Sequence, residues 1–287
     1  MSLKEKNTVR ISIIIFCVLF FVHGFEAVVL RTNETIFGEN FINKLFGILL
    51  LFAVLHSLKW TAKDIGFTRT GAIKHTCIGL LLAAVSFLVS YGIEIIILTL
   101  QGHTVNLGVF VAGFSLTGEA MIHTGLGFIL MCVFFNIINV IMEEGTFRGL
   151  IYQIARTDHS ERFAILFQAL LFGIWHIAEP LHNLIDGDID MASFLGLSLG
   201  YIILAGVMGI KWGLMYRMTG TLYAGMADHF VNNCIATNLV HTLTENGTDE
   251  LLIVRVLIAQ LLSFIAVIVV YRKKAQNEMN FRKEVLL

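Results

Sequence analysis

The residues best placed to do chemistry are two adjacent carboxylates and an arginine, Glu143-Glu144-Gly145-Thr146-Phe147-Arg148, set inside an otherwise apolar run. On a helix, residues four apart share a face while neighbours point about 100° apart. Glu144 and Arg148 are therefore expected to pair, and Glu143 to point elsewhere. A carboxylate that is desolvated beside a like charge is suited to accept a proton near neutral pH. The bland reading is structural: a buried ion pair also fixes helix register without any chemistry.

Two more polar clusters interrupt apolar stretches further along. Phe172-Gly173-Ile174-Trp175-His176 puts an imidazole in a hydrophobic run, with Pro180, the single proline, soon after it. His229-Phe230-Val231-Asn232-Asn233 places a second imidazole and an amide at i, i+4, on one helical face. Both groups can donate hydrogen bonds, as a developing oxyanion requires. A lone histidine in an apolar helix is more often structural, so depth has to discriminate. Glu143 precedes the turn at 157–161 by about as many residues as His176 follows it. At about 1.5 Å per residue both lie roughly 25 Å from that turn, and an antiparallel pair of helices brings them level. Asn233 lies about 20 Å along its helix from the turn near 217–220, a similar layer. Gly145 and Gly173 are expected to let backbones approach closely. Asp228 and Asn232 are expected to solvate or orient the site.

What must position these groups is a hydrophobic scaffold. The chain has 287 residues, 56% hydrophobic and 14% charged, against about 25% charged in a typical soluble domain. With a mean hydropathy of +0.79, this is the composition of an all-α polytopic membrane protein. The net charge of -1 comes with no basic stripe to neutralise phosphates, which argues against nucleic acid as a partner. A hydrocarbon core of ~30 Å needs about 20 apolar residues per helix. By that measure about eight transmembrane helices are predicted, over 11–30, 41–58, 76–100, 125–156, 162–178, 192–210, 221–240 and 251–271. The first is too long for a secretory signal core and lacks a clear cleavage site.

Loop charges test the count. Alternate connections are basic: Lys4, Lys6 and Arg10; Lys59, Lys63, Arg69 and Lys74; Arg156 and Arg162; Lys211 and Arg217; Arg272, Lys273 and Lys274. The others are poor in Lys and Arg and often acidic: Glu34 and Glu39; the long segment 101–124; Glu179, Asp186, Asp188 and Asp190; Glu245, Asp249 and Glu250. The positive-inside rule then puts both termini in the cytoplasm. Ionisable groups within lipid are rare and usually functional, which is why the three clusters matter. The expected organisation is a single membrane-embedded domain over 1–287, with a polar central cavity and a catalytic core at about 125–240. The apolar run 107–116 is short for a span and is expected to be re-entrant or interfacial. Glu26 and Glu94 are expected at the interface, and Arg255 to snorkel toward it. Cys17, Cys77, Cys132 and Cys234 fall singly in apolar stretches and predict neither disulfides nor a thiolate metal site.

Taken together, EExxxR (Glu143 to Arg148), FxxxH (Phe172 to His176) and HxxxN (His229 to Asn233), in this order on hydrophobic helices, resemble the CAAX protease and bacteriocin-processing family, and within it the type II CAAX prenyl endopeptidases. The likeness covers roughly 128–238; the first three helices and the last carry no motif. It implies an eight-helix intramembrane protease in which Glu143 activates water and His176 assists in positioning or proton transfer. His229 and Asn233 would stabilise the tetrahedral oxyanion, with Glu144 and Arg148 supporting the site. The implied substrates are prenylated CaaX proteins, which lose their last three residues, and the lipid bilayer would house the prenyl chain.

Other readings stay open at this point. Glu143, His176 and His229 offer the carboxylate and imidazoles of a zinc-dependent protease, although the chain lacks H-E-x-x-H and the ligands would come from three helices. No cofactor is otherwise implied. A transporter could relay protons through Glu26, Glu94 and the Glu143 cluster, yet no inverted repeat is evident. A non-catalytic scaffold or immunity protein would keep the fold without needing the full motif set.

Overall fold

The structure, a computed structural model, describes residues 7–35, 39–112 and 122–285. Its helices are α1 (Thr8–Phe25), α2 (Ile42–Leu58), α3 (Ala72–Leu100), α4 (Leu126–Glu143), α5 (Tyr152–Arg156), α6 (Glu161–Trp175), α7 (Ala178–Asp186), α8 (Met191–Thr219), α9 (Tyr223–Phe230) and α10 (Leu252–Val285). Three π-helical stretches extend them: Glu26–Leu30 after α1, Glu144–Ile151 joining α4 to α5, and Val231–Thr237 after α9. The protein is all-α and polytopic. Among the described residues six helical segments are long and apolar enough to cross a membrane: Thr8–Glu34, Ala72–Leu100, Leu126–Arg156, Glu161–Asp186, Met191–Thr219 and Leu252–Asn277.

The other two expected spans are shorter. Helix α2 has 17 residues, the low end of what a bilayer needs. The predicted span 221–240 is instead the 8-residue α9 followed by 7 π-helical residues, and its His229, Asn232 and Asn233 face protein. Large apolar side chains such as Phe21, Leu49, Leu88, Leu100 and Leu126 stand exposed around the outside. In water such a surface would aggregate, whereas in lipid it is the solvated face.

Inside, Met142, Phe147, Leu150, Ile151, Phe172 and Trp212 form the packed centre. Helices α6 and α8 can lie against each other because position 173 has no side chain: a Cβ on Gly173 would sit 2.6 Å from the Ile202 carbonyl oxygen. The expected close approach is thus real, but its partner is α8, not α4. Gly145 faces side chains instead, with Leu51 Cδ2 3.0 Å from where its Cβ would be.

The two ends of the bundle differ in charge. At one end, Arg156 and Arg217 both pair with Glu161, and the Lys274 ammonium donates to the Met218 carbonyl. At the other, Arg31 pairs with Asp186 and Glu34, Lys44 with Glu39, and His103 with Glu245. The long segment before α4 contributes β1 (Asn106–Val109), β2 (Val111–Ala112) and β3 (Ile122–His123) at this second end. Strand β1 runs antiparallel to β4 (Val240–Leu243), with Asn106 opposite Leu243 and Val109 opposite Val240, and β2 pairs with β3. Of the expected re-entrant run, 107–109 and 111–112 are strand, and 113–116 lies outside the described residues. Lys4 and Lys6 also lie outside them.

Several charges are buried in protein. Arg255 does not snorkel; it is fully buried and donates to Glu94 Oε2 (2.9 Å), Asp249 Oδ1 (2.9 Å) and the Ala236 carbonyl (3.1 Å). Glu94, expected at the interface, is buried as its partner. Glu26 is buried too, accepting from the Ile42 and Asn43 amides and from the Asn43 side chain. Pairing explains all three, since a buried charge persists where its partners satisfy it. Lys211, counted above as a loop charge, is buried within α8, which continues to Thr219. Of the cysteines, Cys17 and Cys77 are exposed on the apolar surface, while Cys132 and Cys234 are buried in one cluster with Leu239.

Candidate active site

Glu143 ends α4, and the helix loosens into π geometry at the next residue. Among the described residues a second site segment, Val231–Thr237, is also π-helical and carries Asn232 and Asn233. A π turn closes i to i+5, so it re-aims side chains relative to an ordinary helix, and such turns concentrate at functional sites.

Glu144 takes the electrostatic work, as its spacing to Arg148 suggested. Its Oε1 lies 3.4 Å from Arg148 Nη1 and 3.0 Å from His229 Nδ1. Arg148 is fully buried, and its guanidinium stacks between two rings, 3.8 Å from the Phe172 centroid and 4.8 Å from that of Trp212. Cation–π contact replaces hydrogen bonding here: among the described residues none of the three guanidinium nitrogens has a hydrogen-bond partner, the 3.4 Å approach to Glu144 being an ion pair without that geometry.

Glu143 points the other way. Its Oε1 accepts from the Trp175 indole N–H at 3.0 Å, and its Oε2, although buried, has no hydrogen-bond partner among the described residues. That free oxygen lies 3.5 Å from His229 Nε2. Asn233 Nδ2 donates to the same Nε2 at 3.1 Å. One carboxylate oxygen, one imidazole nitrogen and one amide thus converge, from α4, α9 and the π turn after it.

His176 stands at the end of α6, beside the tryptophan that holds Glu143, so the equal depths read from the turn at 157–161 are met. Its polar contact is local, Nδ1 donating to the Phe172 carbonyl at 2.8 Å. That bond leaves Nε2 as the lone-pair nitrogen of the neutral ring. The edge of Phe172 joins the two imidazoles, its ring centroid 4.7 Å from that of His176 and 6.1 Å from that of His229.

Sequence reading missed the aromatic frame. Trp212 stacks flat on His229, with centroids 4.1 Å apart and planes 16° from parallel. Its indole N–H donates to Asp228 Oδ2 at 2.7 Å. His23 of α1 stacks on Trp175 at 4.1 Å. The one available signal was Lys211-Trp212, a lone cation beside an indole in an apolar run; nothing in sequence linked either to His229. Asp228 and Asn232 do line the site, Asp228 holding Trp212 and Lys211, and Asn232 donating to Asn233 Oδ1 at 2.7 Å.

A zinc site would need Glu143, His176 and His229 to bring one ligand atom each together. Among the described residues the trio that meets within 4.8 Å is a different one, Glu34, His182 and Asp186. There the Arg31 guanidinium already pairs with both carboxylates.

No curated protein and no solved structure matches the chain. Residues 125–235 match the family model described as type II CAAX prenyl endopeptidase Rce1-like. The matched stretch runs from the start of α4 into the π turn after α9, so it contains all three motifs and leaves α1 to α3 and α10 outside. Such a match supports a membrane endopeptidase, a hydrolase of peptide bonds. Over 125–235 this multi-pass membrane protein is similar to the Rce1-like family, in line with the resemblance to CAAX proteases drawn from its motifs.

Proposed function

We propose that this protein is a glutamate-dependent intramembrane endopeptidase that removes the last three residues from prenylated CaaX proteins. The observation that carries the reading is the buried, unpartnered Glu143 Oε2, facing His229 Nε2 at 3.5 Å with Asn233 alongside. A free carboxylate oxygen buried in protein is costly unless it meets a donor. A water held there would supply the donor and be the nucleophile.

In this mechanism Trp175 fixes one oxygen of Glu143, leaving the other to take a proton from water as the water oxygen attacks the scissile carbonyl. The charge on the carbonyl oxygen is met by the Asn233 amide, which has a second N–H beyond the one given to His229. His229 becomes an oxyanion donor only once Nε2 is protonated. The proton on Glu143 then passes to the leaving nitrogen as the C–N bond breaks, giving one carboxylate and one amine per water consumed. His176, with Nε2 free, positions the water or the leaving group. Glu144 and Arg148 hold His229 in place.

The chain is read as one membrane-embedded domain with its catalytic core at about 125–240. Both termini and the Arg156–Glu161–Arg217 end face the cytoplasm under the positive-inside rule. A CaaX tail then enters from that end and reaches a layer roughly 20 Å in, while its prenyl chain stays among apolar helices.

Purified protein incubated with farnesylated and unmodified CaaX peptides, with product sequencing, tests this. Cleavage after the prenylated cysteine is expected, unaffected by a strong chelator and lost in Glu143→Gln by about 10³-fold or more. Turnover that persists in Glu143→Gln refutes the role of that carboxylate. Equal cleavage of the unmodified peptide refutes the prenyl specificity.

A further inference from the structure

A continuous run of buried hydrogen bonds reaches the site by way of α10, outside the Rce1-like stretch. Lys211 on α8 donates to Asp228 Oδ2, to Gln260 Oε1 (2.6 Å) and to Ser263 Oγ (3.0 Å). Gln260 on α10 donates from Nε2 to Asn232 Oδ1 at 2.8 Å. Asn232 donates to Asn233 Oδ1 at 2.7 Å, and Asn233 to His229 Nε2 at 3.1 Å. Lys211, Gln260, Asn232 and His229 are all buried, so water does not compete for these groups.

The direction of the whole run follows from one end. A lysine ammonium has three donors and no acceptor, and all three are used here. Gln260 must turn its oxygen to Lys211, which leaves its NH₂ for Asn232. Asn232 must then offer its oxygen, so its NH₂ faces Asn233, whose own NH₂ is left for His229. With the amides reversed, the Asn233 oxygen would face Nε2 and demand a proton there. Because Nδ1 already donates to Glu144 at 3.0 Å, that second proton would make the ring an imidazolium.

We propose that Lys211, acting through Gln260 and Asn232, is a positioning residue that keeps His229 neutral, with Nε2 an acceptor beside Glu143. The proposal rests on the endopeptidase reading for its kinetic consequence and on the hydrogen-bond directions alone for its chemical one. The charged and titratable groups around His229 are Glu143 and Glu144 from the α4 side, Arg148 from the π stretch, His176 from the end of α6, Lys211 from α8 and Asp228 from α9 itself. The two nearest carboxylates both favour an imidazolium, and the amide run opposes them. An imidazolium resting at 3.5 Å would tie up the Glu143 oxygen that the water needs.

The test is Gln260→Glu, which still accepts from Lys211 but, as a carboxylate, cannot donate to Asn232. In detergent-purified protein with ¹⁵N-labelled histidine, assigned against a His229→Gln spectrum, wild-type His229 is expected at pH 7 as a neutral ring protonated on Nδ1. The variant is expected to show the imidazolium pattern. On a CaaX peptide, kcat is expected to fall about tenfold with KM little changed, the scale of one lost hydrogen bond to an ionised group. A second variant, Lys211→Met with Asp228→Asn, removes the ammonium without stranding a carboxylate and should behave alike if Gln260→Glu does not fold. Identical His229 spectra in wild type and variant overturn the proposal. A wild type without peptidase activity sinks the endopeptidase reading instead, and the spectra still decide the relay.

Discussion

At the scale of single residues, two neighbouring glutamates have divided the labour. Glu144 is committed to Arg148 and His229, and Glu143 keeps one oxygen open. The hold on the other oxygen is a single indole N–H, from Trp175. Trp175→Phe preserves an aromatic ring against His23 while removing that donor. Its kcat is expected to drop about tenfold with KM unchanged, read in steady-state assays, because aiming a base matters more in the transition state than in binding. Asn233→Ala takes away the proposed oxyanion donor together with the partner of His229 Nε2, and a loss of about 10²-fold or more in kcat is expected. A change confined to KM would place Asn233 in substrate binding. The i, i+4 spacings of Glu144 with Arg148 and of His229 with Asn233 were legible in sequence; the tryptophans were not, because an indole in an apolar run looks like ordinary core.

At the scale of elements, the site depends on helices that change pitch or end where an ideal one would continue. The span predicted over 221–240 is a short α-helix and a π stretch rather than one long apolar helix, and its polar residues are satisfied inside the bundle. Helix α9 enters by close contact with α3: a Cβ on Gly79 would lie 2.1 Å from the Ala224 carbonyl oxygen. The α6–α8 contact at Gly173 sets the height of Trp175 and His176. Gly173→Val would force the two helices apart and is expected to cost about 1–3 kcal/mol, as overpacking does. The readouts are a lower thermal midpoint in detergent and an activity loss larger than that of an equally destabilised variant remote from the site. Normal activity in a folded Gly173→Val protein would show that the α6–α8 spacing does not set the site.

At the scale of the whole molecule, the end opposite the Arg156–Glu161–Arg217 cluster is fastened by Glu94, Arg255, Asp249 and His241, which tie α3, α10 and β4 together. Burial alone would push the Asp249 carboxyl up, but the hydrogen bond from His241, the Arg255 guanidinium and the Thr242 amide together hold it below the usual carboxylate range. A carboxyl depressed in the folded state adds stability above its unfolded value near about 3.9, and that contribution disappears as pH falls through the folded value. The thermal midpoint is therefore expected to decline below about pH 4 in the wild type. Asp249→Asn should be less stable at neutral pH and show a flatter acid limb; an unchanged limb would assign the acid sensitivity elsewhere.

The sequence by itself determined the solvent and the cast. Long apolar runs can only be helices in lipid, because every backbone group there must be satisfied internally, and the few ionisable groups left inside them stood out by their cost. Hence the membrane class, the three motifs and their matched depth were readable from spacing alone. Only the tertiary structure decided which carboxylate oxygen stays free, which helix Gly173 packs against, and that Arg255 and Lys211 turn inward. Each of those depends on contacts between elements far apart in the chain, and a one-dimensional pattern records how far along a helix a group sits but not which neighbour it faces.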